Sequence, residues 1–575
     1  MGGEQADRPV FSNGTMFPNG IDAERAAEYR RRGWWTDMML ADHVARHAAE
    51  IGERAAFITP DGRLSWSDYD ACSDRLARAL SSAGLAHGDR VAIQLPDAAT
   101  VHVALLACEK AGVVAVGVGS RAGDRELRHL LHKTRAGALV SHEEHRGSSM
   151  SEAYARLRGE VPSLRHHVVV PRFELDRGGP IVIDGAAVDA DMQGGSGAGA
   201  RADADAQGGP AGPAAARRRL GPEDLWMINS TSGTTGLPKC VMHAQSRWWY
   251  FHLCATEMAA LTPQDVVMGA VPTPFGFGQW TSHFTPCYLG APTVVMERFS
   301  AALTLELIER ERVSVLCAVS TQFRMLLGDP AIHERDVSSL RVMFTGGEAI
   351  PYEPASRFEE LTGARILNVY GSNESGFATG TRLTDDRERR LRTAGRVMAG
   401  TELRLYDAGV EVTGTRRGQP GTRGPAMCLG YFEDPAANEE LFTRDGFVLH
   451  ADVVELDEDG YLSVVGRKSD IIIRGGKNIS APQVEEEVSA HPRVTLASAV
   501  AIPDEIFGER VCVYVELLDH GELELAELVE FLISHGTSKE CLPERLVVVD
   551  EIPRSSGGKI AKGALREAAA KLVGD

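Results

Sequence analysis

Between positions 231 and 239 the chain reads Thr231, Ser232, Gly233, Thr234, Thr235, Gly236, Leu237, Pro238, Lys239, a run of hydroxyls and glycines closed by a turn proline and a lysine. The apolar residues before it, Leu225 to Ile228, are expected to form a buried strand, so the loop leaves a strand end. Glycines let backbone N–H groups turn toward one point, and the hydroxyls add donors. Such a nest suits a polyphosphate, with Lys239 as a point charge against it. The spacing is not that of a Walker A loop: two residues separate Gly233 from Gly236, and Leu-Pro precedes the lysine. Serine, threonine and glycine also build ordinary surface turns. The loop therefore needs companions.

Companions follow in order along the chain. Gly346-Gly347-Glu348 ends an apolar stretch, and Tyr370-Gly371-Ser372-Asn373-Glu374 follows another. Asp452 precedes Asp459-Gly460-Tyr461, then Gly466-Arg467-Lys468-Ser469-Asp470 and Gly475-Gly476-Lys477-Asn478-Ile479. Pro553-Arg554-Ser555-Ser556-Gly557-Gly558-Lys559 closes the series. Together these resemble the motifs of the adenylate-forming superfamily, which includes acyl- and aryl-CoA synthetases, stand-alone adenylation domains and firefly luciferase. The resemblance runs over roughly residues 40–570.

The elements that must position these residues are legible in outline. A chain of 575 residues is too long for one core. With 43% hydrophobic and 25% charged residues it reads as a globular protein of ordinary composition. Apolar spacing is helical over Asp42–Ile51 and Tyr69–Leu85; Arg90–Leu95 reads as a strand, Ala98–Ala111 as a helix and Val113–Val118 as a strand. This alternation implies an α/β fold of doubly wound sheets. Short strands and glycine-rich turns over 395–465 suggest a small β-barrel. Residues 189–219, rich in glycine, alanine and aspartate, lack the apolar side chains that would offset ordering entropy and read as a disordered loop. Trp34 and Trp35 are expected to dock the N-terminal segment on the body.

A formal net charge of −19 without a run of basic residues argues against nucleic acid as a partner. Nine cysteines without a Cys-x-x-Cys pair read as reduced thiols rather than disulfides or a zinc site. No apolar run reaches membrane-spanning length, and the first residues lack the apolar core of a signal peptide, so the cytoplasm is the expected compartment.

The resemblance implies a division of labour. The large N-terminal domain, 1–468, binds ATP and the acid, and a smaller mobile α+β lid, 469–575, turns about a hinge at Ser469. The 231–236 loop with Lys239, Gly347, Gly371 and Asn373 contacts ATP. Tyr370 stacks on adenine, Asp452 and Arg467 bind the ribose hydroxyls, and Glu374 helps hold Mg²⁺. Lys559, on the lid, bridges the attacking carboxylate and the α-phosphate. Gly475 and Gly476 line a tunnel for the pantetheine arm of CoA. The acid pocket maps onto Tyr250 and Cys254, Phe275 to Trp280, and Gly346 to Ala349, with simple core packing an equal reading of the 248–251 stretch. Phe275 takes the place of the residue beside the carboxylate. Amino-acid-activating relatives carry an aspartate where Gly276 stands, and a buried ammonium left unpaired is costly. An α-amino acid is therefore not expected, and the largely apolar walls fit an aromatic or alicyclic acid more than a hydroxylated one.

Four positions depart from the family pattern. Asn373 replaces a threonine that touches the α-phosphate, His450-Ala451 replaces Thr-Gly, and Ser469 stands where Lys or Asp is common. The expected reaction is acyl-AMP formation followed by thioester formation with CoA. Two alternatives stay open: loading of a carrier protein, and adenylation of nitrite for transfer to an aryl amine. Arg474 and Lys477 are candidates to receive the CoA phosphates.

Overall fold

The computed structural model describes residues 21–188, 219–230, 238–347, 350–407, 409–467, 470–474, 477–504, 508–518, 521–535, 537, 539, 541–554 and 560–571. Of the 189–219 stretch, all but Arg219 lies outside them.

Short runs of Val, Ala and Ile, apolar on both faces, suit parallel strands covered by helices on each side. Val114–Gly117 and Ala138–Ser141 are buried at every residue. They belong to a nine-stranded sheet whose centre runs Ala138–Ser141, Arg90–Gln94, Val114–Gly117, Met227–Ser230. A second nine-stranded sheet orders Arg365–Ser372, Val342–Gly346, Val315–Cys317, Val267–Gly269 and Thr293–Val294 at its centre. These are the doubly wound layers expected from the strand–helix alternation. The expected helices and strands occur as Leu40–Ile51, Trp66–Ser82, Arg90–Gln94, Ala99–Ala111 and Val114–Gly117.

Helix Ala99–Ala111 is buried nearly all round. It carries Glu109, which is 1% exposed and accepts the Ala41 N–H at 2.9 Å and Gln245 Nε2 at 2.7 Å. Gln245 Oε1 takes the Leu40 N–H at 2.7 Å. A buried acid and amide thus satisfy the open donors at the N-terminus of Leu40–Ile51. Trp35 Nε1 donates to the Pro425 carbonyl at 3.0 Å, and Trp34 packs edge-on to Tyr250, so both tryptophans dock the N-terminal segment.

The small barrel comprises Glu402–Asp407, Val410–Glu411, Arg417–Arg423, Val448–Leu449, Asp452–Leu456 and Leu462–Arg467. The C-terminal part builds its own five-stranded sheet, from Ile471–Arg474, Lys477–Ser480, Val494–Asp504, Gly508–Leu517 and Arg545–Val548. Helices Ala481–Ser489 and Leu525–Ser534 cover it around Val484, Val513 and Leu528. All nine cysteines are buried thiols outside any disulfide. Among the described residues no helix is long and apolar enough to cross a membrane.

Candidate active site

Ligands of open α/β layers sit in the crevice outside the carboxyl ends of the strands. Here Asn229 in Met227–Ser230, Pro274 beyond Val267–Gly269 and Asn373 after Arg365–Ser372 meet: Asn229 Nδ2 donates to the Pro274 carbonyl at 2.8 Å and to Asn373 Oδ1 at 3.3 Å. At Gly346 a side chain would collide with the carbonyl of Val369 on the neighbouring strand, and Gly347 turns the chain with φ +82°.

The segment Tyr370–Glu374 forms one wall. The Tyr370 hydroxyl donates to Asp452 Oδ2 at 2.9 Å. Its ring stacks on His450, with centroids 5.2 Å apart and planes at 19°. His450 is held by Thr422 Oγ1, 2.8 Å from its Nε2, and by Gln419 Nε2, which donates to its carbonyl at 2.6 Å. The departure at His450 thus has a local job: it backs the tyrosine. Asp452 pairs with Arg467 across the two barrel strands, so register alone brings these positions together. The Arg467 side chain lies outside the described residues.

At the other end Glu374 accepts the Tyr431 hydroxyl at 2.8 Å, and Lys239 Nζ lies 4.8 Å above the Tyr431 ring. One tyrosine therefore stands between the phosphate-loop lysine and the acidic side chain. Asn373 Nδ2 donates to Asn229 Oδ1 at 2.7 Å. A methyl at Gly276 would come 3.0 Å from Asn373 Oδ1, so the acid-pocket segment and the nucleotide segment touch there.

Beyond Gly276 the crevice turns apolar. Phe275 and Phe277 are half-buried, and Trp280 packs edge-on against Phe344 at 5.2 Å and Phe377 at 5.6 Å. A π-helical turn, Gln279–Phe284, carries Trp280; such turns re-aim side chains within a helix. The segment is anchored by Asp97 Oδ1, which accepts the Thr273 N–H at 3.0 Å. Burial pushes the Asp97 carboxyl up to about 7, against the pull of that hydrogen bond.

A family model described as AMP-binding enzyme matches residues 44–432, and the AMP-binding enzyme C-terminal domain matches 483–559. The chain belongs to the AMP-binding enzyme family. This AMP-binding enzyme is 30% identical over 561 residues to the medium-chain fatty-acid–CoA ligase of Escherichia coli (strain K12), covering 95% of this chain and 93% of that one. It is also 30% identical over 581 residues to the 2-hydroxy-7-methoxy-5-methyl-1-naphthoate–CoA ligase of Streptomyces carzinostaticus, covering 99% of each. The solved anthranilate CoA ligase AuaEII, in complex with anthranoyl-AMP, overlays with a TM-score of 0.79 over 94% of this chain and 99% of that one. At 22% identity that overlay speaks for the fold alone.

In the AMP-binding enzyme the segment Tyr370–Glu374, which includes Gly371, links most of the expected site residues pairwise: Tyr370 meets Asp452, Asn373 meets Gly276 beside Phe275, Glu374 shares Tyr431 with Lys239, and Gly346, next to Gly347, packs on Val369. Thr231 to Gly236, Ser469, Gly475, Gly476 and Lys559 lie outside the described residues. Tyr250 is a buried residue of helix Ser246–Ala259. It is 1% exposed, and its hydroxyl donates to the Ala399 carbonyl at 2.6 Å, with Thr401 Oγ1 3.1 Å away. It faces the connection to the barrel, because one residue along a helix turns a side chain by about 100°. Phe251, the next residue, instead meets Phe377 at 5.4 Å. Arg474 is paired with Glu544.

Sequence reading missed Asn229, His243, Arg247, Asp97 and Tyr431. One signal was available for Asn229: an amide closing the apolar run Leu225, Trp226, Met227, Ile228 needs a buried partner. His243 and Arg247 stand four residues apart, a spacing the sequence does show, whereas the partners of Asp97 and Tyr431 come from distant segments.

Proposed function

We propose that this enzyme activates a small aromatic or alicyclic carboxylic acid with ATP and passes the acyl group to CoA. A carboxylate oxygen attacks the α-phosphorus and pyrophosphate leaves; the thiol sulfur then attacks the acyl carbon and AMP leaves. The contact between Gly276 and Asn373 carries the reading, because it puts the acid segment beside the segment expected to touch the α-phosphate. The aromatic floor of Phe277, Trp280, Phe344 and Phe377 favours a ring over a polyhydroxylated acid.

Asp452 and Arg467 would hold the ribose, with Tyr370 against adenine. The 231–236 loop and Lys239 would cradle the phosphates. Glu374, oriented by Tyr431, offers the hard oxygen that Mg²⁺ favours, and the ion when bound supplies positive charge at the phosphate oxygens. Domain 1–468 would act as the body. The lid, 469–575, would bring Lys559 in for the first step, then turn about Ser469 so that Gly475 and Gly476 admit the pantetheine arm.

The pairing of Arg474 with Glu544 takes away one cation proposed for the CoA phosphates and favours carrier-protein loading as a second reading. A cavity of about 1020 Å³ where lid meets body is lined by Arg121, Arg146, Arg172, Arg298 and Arg554 but equally by Glu126, Glu143, Glu144, Glu297 and Glu551, so its charge is balanced and it does not favour CoA over a carrier protein. The deciding experiment measures pyrophosphate release with ATP, Mg²⁺ and a panel of benzoates, cinnamates, alicyclic and straight-chain acids, with and without CoA. Acid-dependent release accelerated by CoA supports the ligase. Acid-dependent release indifferent to CoA supports carrier loading, and release driven by nitrite with an aminoaryl acid would overturn both.

A further inference from the structure

Arg247, on helix Ser246–Ala259, is 2% exposed and pairs with no carboxylate among the described residues. Its Nη1 donates to His243 Nδ1 and to the Asn373 carbonyl, the latter at 3.1 Å. The guanidinium lies 5.0 Å from the Trp248 ring centroid and 5.4 Å from that of Phe251. A buried charge with no carboxylate in contact is expensive, even with the Glu374 carboxylate acting on it from beyond contact, and a well-packed apolar side chain would serve packing better. The expense calls for a role.

Arginine can only donate, so His243 Nδ1 accepts and its proton sits on Nε2. Nε2–H then donates to Asn229 Oδ1 at 2.7 Å. Asn229 Oδ1 also takes Asn373 Nδ2 at 2.7 Å. Asn229 Nδ2 donates to the Pro274 carbonyl at 2.8 Å and to Asn373 Oδ1 at 3.3 Å. Every hydrogen-bonding capacity of Asn229 is used, which fixes its amide and, in turn, that of half-buried Asn373. One N–H of Asn373 remains for the crevice. Burial lowers Arg247 to about 10, which leaves it charged at neutral pH, and it holds His243 well below its ordinary value.

We propose that Arg247 and His243 are positioning residues that act through Asn229 to orient and polarise the Asn373 amide for adenylation. This rests on the reading above that Asn373 contacts the α-phosphate. Hydrogen bonds in a chain polarise one another, so a positive charge at one end strengthens the N–H at the other. The departure of Asn373 from threonine and the buried arginine are then two parts of one device: a hydroxyl needs no such orientation, an amide does.

The test is acid-dependent ATP–pyrophosphate exchange, with melting temperature measured on each variant. His243→Leu should lower the maximal exchange rate about 10-fold or more while the ATP KM changes less than about twofold. His243→Gln, which can accept from Arg247 and donate to Asn229, should recover the rate to within about threefold of wild type. In an Asn373→Thr background His243→Leu should cost less than about twofold. Should His243→Leu not fold, Asn229→Asp, which turns the donors of Asn229 into acceptors, carries the same comparison. Equal losses in both backgrounds, no recovery with Gln, or a loss that only tracks melting temperature would overturn the positioning role. Wild type without acid-dependent exchange would instead bring down the adenylation reading itself.

Discussion

The segment Tyr370–Glu374 is held differently at its two ends. Tyr370 leans on the barrel, through a hydrogen bond to Asp452 and a stacking contact with His450. Asn373, three residues on, leans on the sheet core through Asn229, His243 and the buried charge of Arg247. The barrel corner uses a register pair and a flat ring, half-open to the crevice at Asp452. The sheet corner spends a desolvated cation. A binding site needs shape and a few hydrogen bonds, whereas a reacting centre needs donors already aimed at the place where charge develops. On the proposed function the barrel corner would hold the nucleotide and the sheet corner would be where bonds change.

The sharpest way to break this division is Lys559→Ala. It should lower acid-dependent pyrophosphate exchange about 10³-fold, leave ATP binding by calorimetry intact, and spare thioester formation from a supplied acyl-adenylate. Equal loss of binding and rate would erase the distinction. Asp452→Ala should do the opposite: ATP KM rising about 10–100-fold with a smaller change in maximal rate.

Acid should destabilise the body through its buried imidazoles, of which His243 belongs to the sheet corner. Burial holds His43 and His252 at about 4, His283 at about 3, and His243 well below its ordinary value. These imidazoles stay neutral when folded but take a proton when unfolded below about 6.5, so stability falls as pH drops from there toward 4. Each contributes about 1.4 kcal/mol per pH unit across its window. Asp97, raised to about 7, binds its proton in the folded state first and offsets one of them. Denaturant melts from pH 7 to 4.5 should show this slope, and His243→Gln should flatten it by one imidazole's share.

Smaller effects refine the picture. Tyr431→Phe frees Glu374 from one hydrogen bond and should raise the Mg²⁺ concentration needed for half-maximal exchange about fivefold. His450→Ala removes the stacking partner of Tyr370 and should raise ATP KM about threefold without altering the rate at saturation. A rate effect at His450 would mean that the two corners are coupled.

The motifs from Thr231 to Lys559, the strand–helix alternation of the sheets and the glycine-rich barrel were readable because each is local: turn chemistry, apolar period and charge type are set by neighbours in the chain. Even so, the hydrogen bond of Tyr250 to Ala399 was not readable, since choosing between adjacent helix residues requires knowing which neighbour each one faces. By itself the sequence determined the family, the fold class and which side chains stand at the ends of strands. Only the tertiary structure decided that Arg247, His243, Asn229 and Asn373 form one chain of hydrogen bonds, and that Tyr431 stands between Lys239 and Glu374. Asn229 and Asn373 are 144 residues apart. No periodicity spans such a distance, and the cost of burying an arginine becomes visible only once the packing that surrounds it is known.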